Sequence, residues 1–393
     1  MKFLERTTGY GVKFFLRTTN GGYGNGKYGI FMQSIYIHIP FCVKKCNYCA
    51  FASYPAASAA QEKYISVLAK EMALRRNFPA QTLYIGGGTP SFLGAELLEK
   101  LLTETEKNFG PIKNFIESTF EVNPESVTEE KLKILKKYGF NRISVGAQTF
   151  DDDGLKILGR AHDRKTFFDA YDKIKSAGFT NINIDLIAGF PRQTFEGFEK
   201  DIREIISLSP VHISVYGLQI EEGTKIFETG FNPDQILMRK MLEHARAALQ
   251  AASYKHYEIS NYAKPGFESR HNNNYWQSGE YIGLGFAAAS FVNGKRFSNP
   301  ENLEKYLENP GKPEFEEVLT GKEKLGENII IGLRRLDGIA AADEIEKNFG
   351  REIKNLIAAG MLEKAGGKIK LTEEGIFLSN EVFENFVAPF YET

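Results

Sequence analysis

The sequence predicts an α/β chain, a partial (β/α)6 barrel followed by a small, mainly helical C-terminal domain of winged-helix-like pattern. Three observations carry this. From Ser34 onward, short Ile/Val/Tyr/Phe-rich runs alternate with amphipathic stretches at intervals of about thirty to forty residues, the size of one βα unit. Glycine and proline gather just after those runs, as at Pro40, Gly86 to Gly88 with Pro90, Pro124, and Gly189 with Pro191. The last ~70 residues drop the alternation for short helices and end in a turn–strand–helix, GGKIKLTEEGIFLSNEVFENF.

Taken in order, the expected strands are 35–41, 82–88, 118–124, 142–148, 181–190 and 212–220. Amphipathic stretches such as 59–76 and 128–139 carry apolar residues at three- and four-residue spacing, the signature of a one-sided helix. Six such units in register imply a parallel sheet curling into a wall, with ligands bound at the strand C-termini. A helix over 234–252, a strand over 256–264 and a loop over 269–285 are expected next, with a linker around 310–320. The organisation read from this is an N-terminal extension (1–33), a barrel (34–265), a connecting segment (266–310) and a C-terminal domain (311–393). The extension is basic and rich in Gly, Thr and aromatics without helical period. It reads as an over-long start, because Met32 directly precedes the first convincing strand.

Composition excludes several function classes. The chain has 393 residues, with 49 basic against 50 acidic, so no net field invites nucleic acid. No apolar run approaches the ~20 residues that span a bilayer. The acidic end of the C-terminal domain offers no basic reading face, which favours packing or a lid over DNA binding.

The chemistry gathers at three cysteines, the only ones in the chain: Cys42, Cys46 and Cys49. A disulfide framework would scatter its cysteines and favour an even count. A structural zinc site wants four ligands, and no second cysteine pair exists. Thiolates at these spacings can instead wrap a [4Fe-4S] cluster from one loop, leaving one iron open. Such thiols imply a reducing compartment, the cytoplasm. Downstream, Gly87, Gly88 and Thr89 form a turn whose backbone can approach a ligand closely. Glu121, Gln148, Arg160 and Asp185 are polar where a plain strand would continue apolar. Buried without partners they would cost several kcal/mol, so each should meet a neighbour or a ligand.

With its GGGTP segment, IYIHIPFCVKKCNYCAF resembles the signature of the radical S-adenosylmethionine (SAM) superfamily, in the branch containing oxygen-independent coproporphyrinogen III oxidases and heme chaperones. The resemblance covers nearly everything from Ser34 to the C-terminus. It implies that the three cysteines hold the cluster and that the open iron takes the amino and carboxylate groups of SAM. It implies that Gly87, Gly88 and Thr89 hold the methionyl amine. Glu121, Gln148, Arg160 and Asp185 would contact the rest of SAM, and Tyr36 and Tyr48 would pack on cluster and adenine. Reduction by an external donor of flavodoxin or ferredoxin type would then cleave SAM to methionine and a 5′-deoxyadenosyl radical.

Two features separate the branches. The oxidases carry a fourth cysteine two residues past the third, where this chain has Phe51. His271-Asn-Asn-Asn-Tyr275-Trp276 matches the HNxxYW motif that marks the chaperone members. The resemblance thus implies heme as cargo, with His271 as a candidate axial ligand and Tyr275 and Trp276 lining the porphyrin. Its recipients would be apo-hemoproteins such as respiratory-chain cytochromes, with peripheral membrane contact left open. Oxidative decarboxylation of coproporphyrinogen III is the alternative.

Overall fold

The six strand-forming runs pair side by side in chain order. The structure, a computed structural model, describes residues 32–55 and 57–387. Residues 1–31 of the expected extension lie outside them. The strands are β1 (Ser34–Ile39), β2 (Thr82–Gly87), β3 (Glu117–Val122), β4 (Arg142–Gln148), β5 (Asn181–Ala188) and β6 (His212–Gly217), each parallel to the next. Between or after them run helices α1 (Ser58–Leu74), α2 (Ala95–Phe109), α3 (Glu129–Tyr138), α4 (Arg164–Ser176), α5 (Phe195–Leu208) and α6 (Gln235–Ala251). β1 and β6 do not pair with each other, so the wall is a partial barrel, as the alternation predicts.

Sequence sets these boundaries locally. Thr128 and Asp163 cap α3 and α4 by accepting from Lys131 N and Thr166 N, and Gly139 closes α3 in the left-handed region. In α5, Phe198, Ile202 and Ile205 recur at helical spacing and are buried against the sheet. Ile35, Ile37 and Ile39 of β1 are fully buried, each stabilising by roughly 1.5–3 kcal/mol.

Beyond the wall, several expectations need correction. The strand over 256–264 is a hairpin, β7 (Lys255–Glu258) and β8 (Asn261–Ala263), because the chain turns at Ile259–Ser260 and β8 returns along β6. The loop over 269–285 contains a helix, α7 (Arg270–Trp276), and a strand, β9 (Tyr281–Leu284), that adds to the free edge of β1. β10 (Ala289–Val292), β11 (Lys295–Ser298) and β12 (Phe315–Val318) continue antiparallel from β9, completing a twelve-stranded sheet. β12 therefore occupies the stretch expected to be a linker, pairing residue by residue with β11.

The C-terminal part has its own core. α8 (Gly321–Leu333) and α9 (Asp343–Ala358) pack on a three-stranded antiparallel sheet, with Leu333, Phe349, Ile353, Ile369 and Phe386 buried together. Its hairpin, Leu362–Ala365 with Lys368–Leu371, turns on Gly366-Gly367, the residue pair that a tight hairpin demands. Arg239 on α6 grips Glu374 with two bonds of 2.9 and 2.7 Å across to the barrel.

Candidate functional site

The cysteine loop runs from the C-terminal end of β1 and is tied down on several sides. Asn47 N donates to Leu158 O (2.9 Å), and Asn47 O accepts from Ile226 N (2.9 Å). Gly88 N and Thr89 N donate to Ile39 O and Phe41 O, both at 2.8 Å, binding the GGGTP turn to the loop's root. A Cβ on Gly88 would lie 2.9 Å from Phe41 O and 3.0 Å from Cys42 Sγ, so only glycine allows this approach.

A cavity of about 350 Å³ opens at this rim. It is lined by Cys42, Cys46 and Cys49, by Tyr36 and Tyr48, by Gly87, Gly88 and Thr89, and by Glu121, Gln148, Arg160 and Asp185. Every residue expected from the sequence to serve the cluster or SAM thus faces one space. Gln148 ends β4 in the left-handed region (φ 71°), beyond an irregularity in the pairing with β5. Such register breaks re-aim side chains at ligand edges.

Burial sets the electrostatics. It pushes the Glu121 carboxyl up to about 7, although Tyr84 Oη (2.5 Å) and Gly87 N (3.1 Å) both donate to it and pull the other way. Asp185 is also raised by burial, against a bond from Asn183 Nδ2 (2.7 Å). Burial raises the Cys42 thiol, and it raises Cys49 to about 11 with help from the neighbouring Cys46. Burial disfavours the charge on Arg160, but Cys46, Tyr48 and Glu125 outweigh it and hold the guanidinium firmly protonated. Arg160 reaches Asn123 Oδ1 (2.7 Å), Gly146 O (3.0 Å) and Cys46 Sγ (3.5 Å), while its buried Nε has no partner among the described residues.

The HNNNYW segment lines a second cavity, of about 490 Å³, which shares Tyr36, Phe51, Tyr216 and Arg334 with the first. Its helix α7 is poor in helix formers and is held from outside. Glu117 on β3 accepts from Arg270 N (2.9 Å), His271 N (2.9 Å) and Ser269 Oγ (3.2 Å). The three expected heme residues stand differently. Tyr275 and Trp276 are partly buried at the cavity wall, and Trp276 Nε1 is buried without a partner among the described residues. His271 is 1% exposed, with Nδ1 paired to Thr82 Oγ1 (2.9 Å) and Nε2 to Tyr275 Oη (2.8 Å). Burial lowers it to about 3, so the ring is neutral. Without heme, both nitrogens are thus engaged and the ring braces Tyr275.

Sequence reasoning passed over four contributors. Tyr84 bonds Glu121 and lies 5.1 Å, ring to ring, from His271, so one side chain touches both regions. Asn123 joins Arg160 to Thr89, donating to Thr89 Oγ1 at 2.8 Å. Glu117 secures α7, and Arg334 stands over the Trp276 ring at 4.5 Å. Asn123 and Tyr84 fall within the expected strands 118–124 and 82–88, where a polar residue at the strand's end and a tyrosine just before the glycine turn were the available signals. Nothing local marks the other two.

Comparison with known proteins fits this geometry. Residues 36–205 match the radical SAM superfamily. The heme chaperone HemW of Bacillus subtilis is 35% identical over 377 residues, covering 91% of this chain and 99% of the relative. HemW of Lactococcus lactis is 36% identical (90% and 97% covered), and that of Escherichia coli 32% (90% and 98%). Among solved structures, coproporphyrinogen III oxidase (HemN) from Escherichia coli superposes with a TM-score of 0.80, covering 91% of each chain. At 22% identity that likeness speaks for the fold.

Membership in the superfamily implies SAM and a [4Fe-4S] cluster, and the residues present fit both. No three His, Cys, Asp or Glu side chains among the described residues converge on a single ion. In a cubic cluster each thiolate takes its own iron, so the three cysteines need not share one ion. The unpartnered Arg160 Nε provides an unfilled donor, and the cavity lined by the three thiols, Gly87 and Gly88 provides room for a polar ligand beside them. By these matches over its full barrel and C-terminal part, the chain belongs to the radical SAM superfamily, in the HemW family.

Proposed function

We propose that this protein is a heme chaperone: it binds heme beside a SAM-loaded [4Fe-4S] cluster and hands it to apo-hemoproteins. The single observation that carries the reading is the second cavity. It adjoins the cysteine rim, and Tyr275 and Trp276 of the HNNNYW motif line it together with Tyr36, Tyr54, Phe51 and Phe286. The aromatic part of this wall suits a flat, largely apolar macrocycle, while charged residues such as Arg296, Arg334 and Glu258 share the lining. The relatives named heme chaperone HemW, matched over nearly their whole length, support the same reading.

In this reading Cys42, Cys46 and Cys49 hold the cluster, which supplies reductive cleavage of SAM when both are bound. Gly87, Gly88 and Thr89 receive the methionyl end of SAM, while Glu121, Gln148, Arg160 and Asp185 orient the remainder. Tyr36 and Tyr48 pack on cluster and adenine. Tyr36 also faces the heme side, so it separates the two ligands. His271 fixes Tyr275 through its Nε2. The work is done in the cytoplasm with a flavodoxin- or ferredoxin-type donor, and the recipients are cytochromes of the respiratory chain.

The alternative reading is an oxygen-independent coproporphyrinogen III oxidase, whose fold this chain shares. Phe51 stands at the rim where that activity expects a fourth cysteine. Anaerobic incubation of reconstituted protein with coproporphyrinogen III, SAM and reductant, alongside a heme titration followed by absorbance, tests the choice. The expected result is stoichiometric heme binding with no protoporphyrinogen. Protoporphyrinogen formation, or no heme binding, would overturn the proposal.

A further inference from the structure

Arg334 ends α8 at the wall shared by both cavities, and its surroundings are unusual for a structural arginine. Its side chain is 18% exposed, and its buried Nε has no hydrogen-bond partner among the described residues. The nearest carboxylate, Glu258, stays 4.0 Å away. Arg239 and Glu374, even on an exposed surface, close to 2.7 Å. Glu258 is fully buried, and its Oε2 also lacks a hydrogen-bond partner. The two side chains face each other without bonding, leaving donor capacity on one and an unfilled oxygen on the other.

Backbone pairing fixes this arrangement. Arg334 O accepts from Ile259 N (3.1 Å), Leu336 N donates to Tyr257 O (3.1 Å), and Glu258 bridges to Arg335. The guanidinium itself lies on the Trp276 indole. It is pre-positioned with its planar fork at the cavity wall, the geometry that suits two-pronged capture of a carboxylate. Glu258 neutralises it only at the 4.0 Å limit of an ion pair, so a closer carboxylate would hold the guanidinium more strongly.

Resting on the heme reading above, we infer that Arg334 is the anchor for a heme propionate, gripping the carboxylate while Trp276 lies against the macrocycle. Burial disfavours the charge on Arg334 and raises the Glu258 carboxyl. A carboxyl raised in this way repels an incoming propionate less than an ordinary carboxylate would. The chemistry is that of any carboxylate, and the methionyl carboxylate of SAM is the other source within reach of the shared wall.

The experiment is an absorbance titration of the full, cluster-reconstituted protein with ferric heme and with heme dimethyl ester, whose propionates are masked. For the unaltered chain, heme should bind about 10-fold or more tighter than the ester, as expected for a charge-assisted pair. Arg334→Gln should weaken heme by the same factor and leave the ester unmoved, and Arg334→Lys should fall between. The ester comparison needs no substitution, so it stands even if a variant folds poorly. Equal affinity for heme and ester in the unaltered protein would overturn this inference alone. Absence of heme binding would overturn the chaperone reading with it. In Arg334→Gln, weaker SAM binding with heme affinity intact would assign the guanidinium to SAM and overturn the inference too.

Discussion

The two cavities are neighbours whose motif residues stand in different surroundings. At the cysteine rim, hydrogen-bonding capacity is left open: Arg160 Nε is unpartnered, and Glu121 and Asp185 are charged residues pushed toward neutrality by burial. At the motif helix, the residue that looks most like a ligand is the best satisfied, with His271 bonded at both nitrogens and closed off from solvent. The difference teaches that a motif residue can serve a site by bracing it. Where the polar groups are unmet a ligand is awaited, and where they are met a framework is held.

The largest expected effect separates the regions outright. Cys42→Ala should abolish cluster iron and SAM cleavage, read by iron content and product analysis, while heme still titrates into the second cavity. If heme binding vanished with the cluster, the cavities would be a single site. Next, His271→Ala should lower stability by roughly 1–3 kcal/mol, because Tyr275 and Thr82 lose a buried partner. Thermal melting checks this. A variant that melts normally but loses an imidazole-ligated heme spectrum would instead show that the ring turns to the iron.

Smaller effects lie on the SAM side. As the carboxylate Glu121 accepts at both oxygens, and the acid form gives up part of that capacity and the negative charge. With its group near 7 before binding, SAM affinity should fall about 10-fold from pH 8 to pH 6 as the acid form takes over. Glu121→Gln should flatten that profile in equilibrium binding, and an unchanged slope would place the titrating group elsewhere. Tyr84→Phe removes a bond that holds the Glu121 group down, so the midpoint should move to higher pH by roughly one unit. A shift to lower pH would contradict this sign.

The parallel wall was legible because each of its strands is an unbroken β-rich run and each helix shows one apolar face. The rim residues were legible as polar breaks in those runs, Glu121 near the end of β3 and Asp185 within β5. The sheet's extension past β1 was not, since β9 to β12 are only four residues long, and β11 and β12 are mostly exposed or half-buried and carry charged residues. α7 was missed for a related reason. RHNNNYW has little helix propensity of its own, and its N-terminus is satisfied by Glu117, over 150 residues earlier in the chain. Arg334 was invisible because its environment exists only once α8, β7 and Trp276 come together.

In the chaperone reading, heme sits beside the SAM site as cargo. Heme-loaded, cluster-reconstituted protein mixed anaerobically with an apocytochrome, followed by its Soret band, tests this most directly. The account predicts that the band moves to the position of the recipient's holo form while the donor returns to its heme-free spectrum. Heme retained by the donor, or passing no faster than free heme binds the recipient, would contradict it.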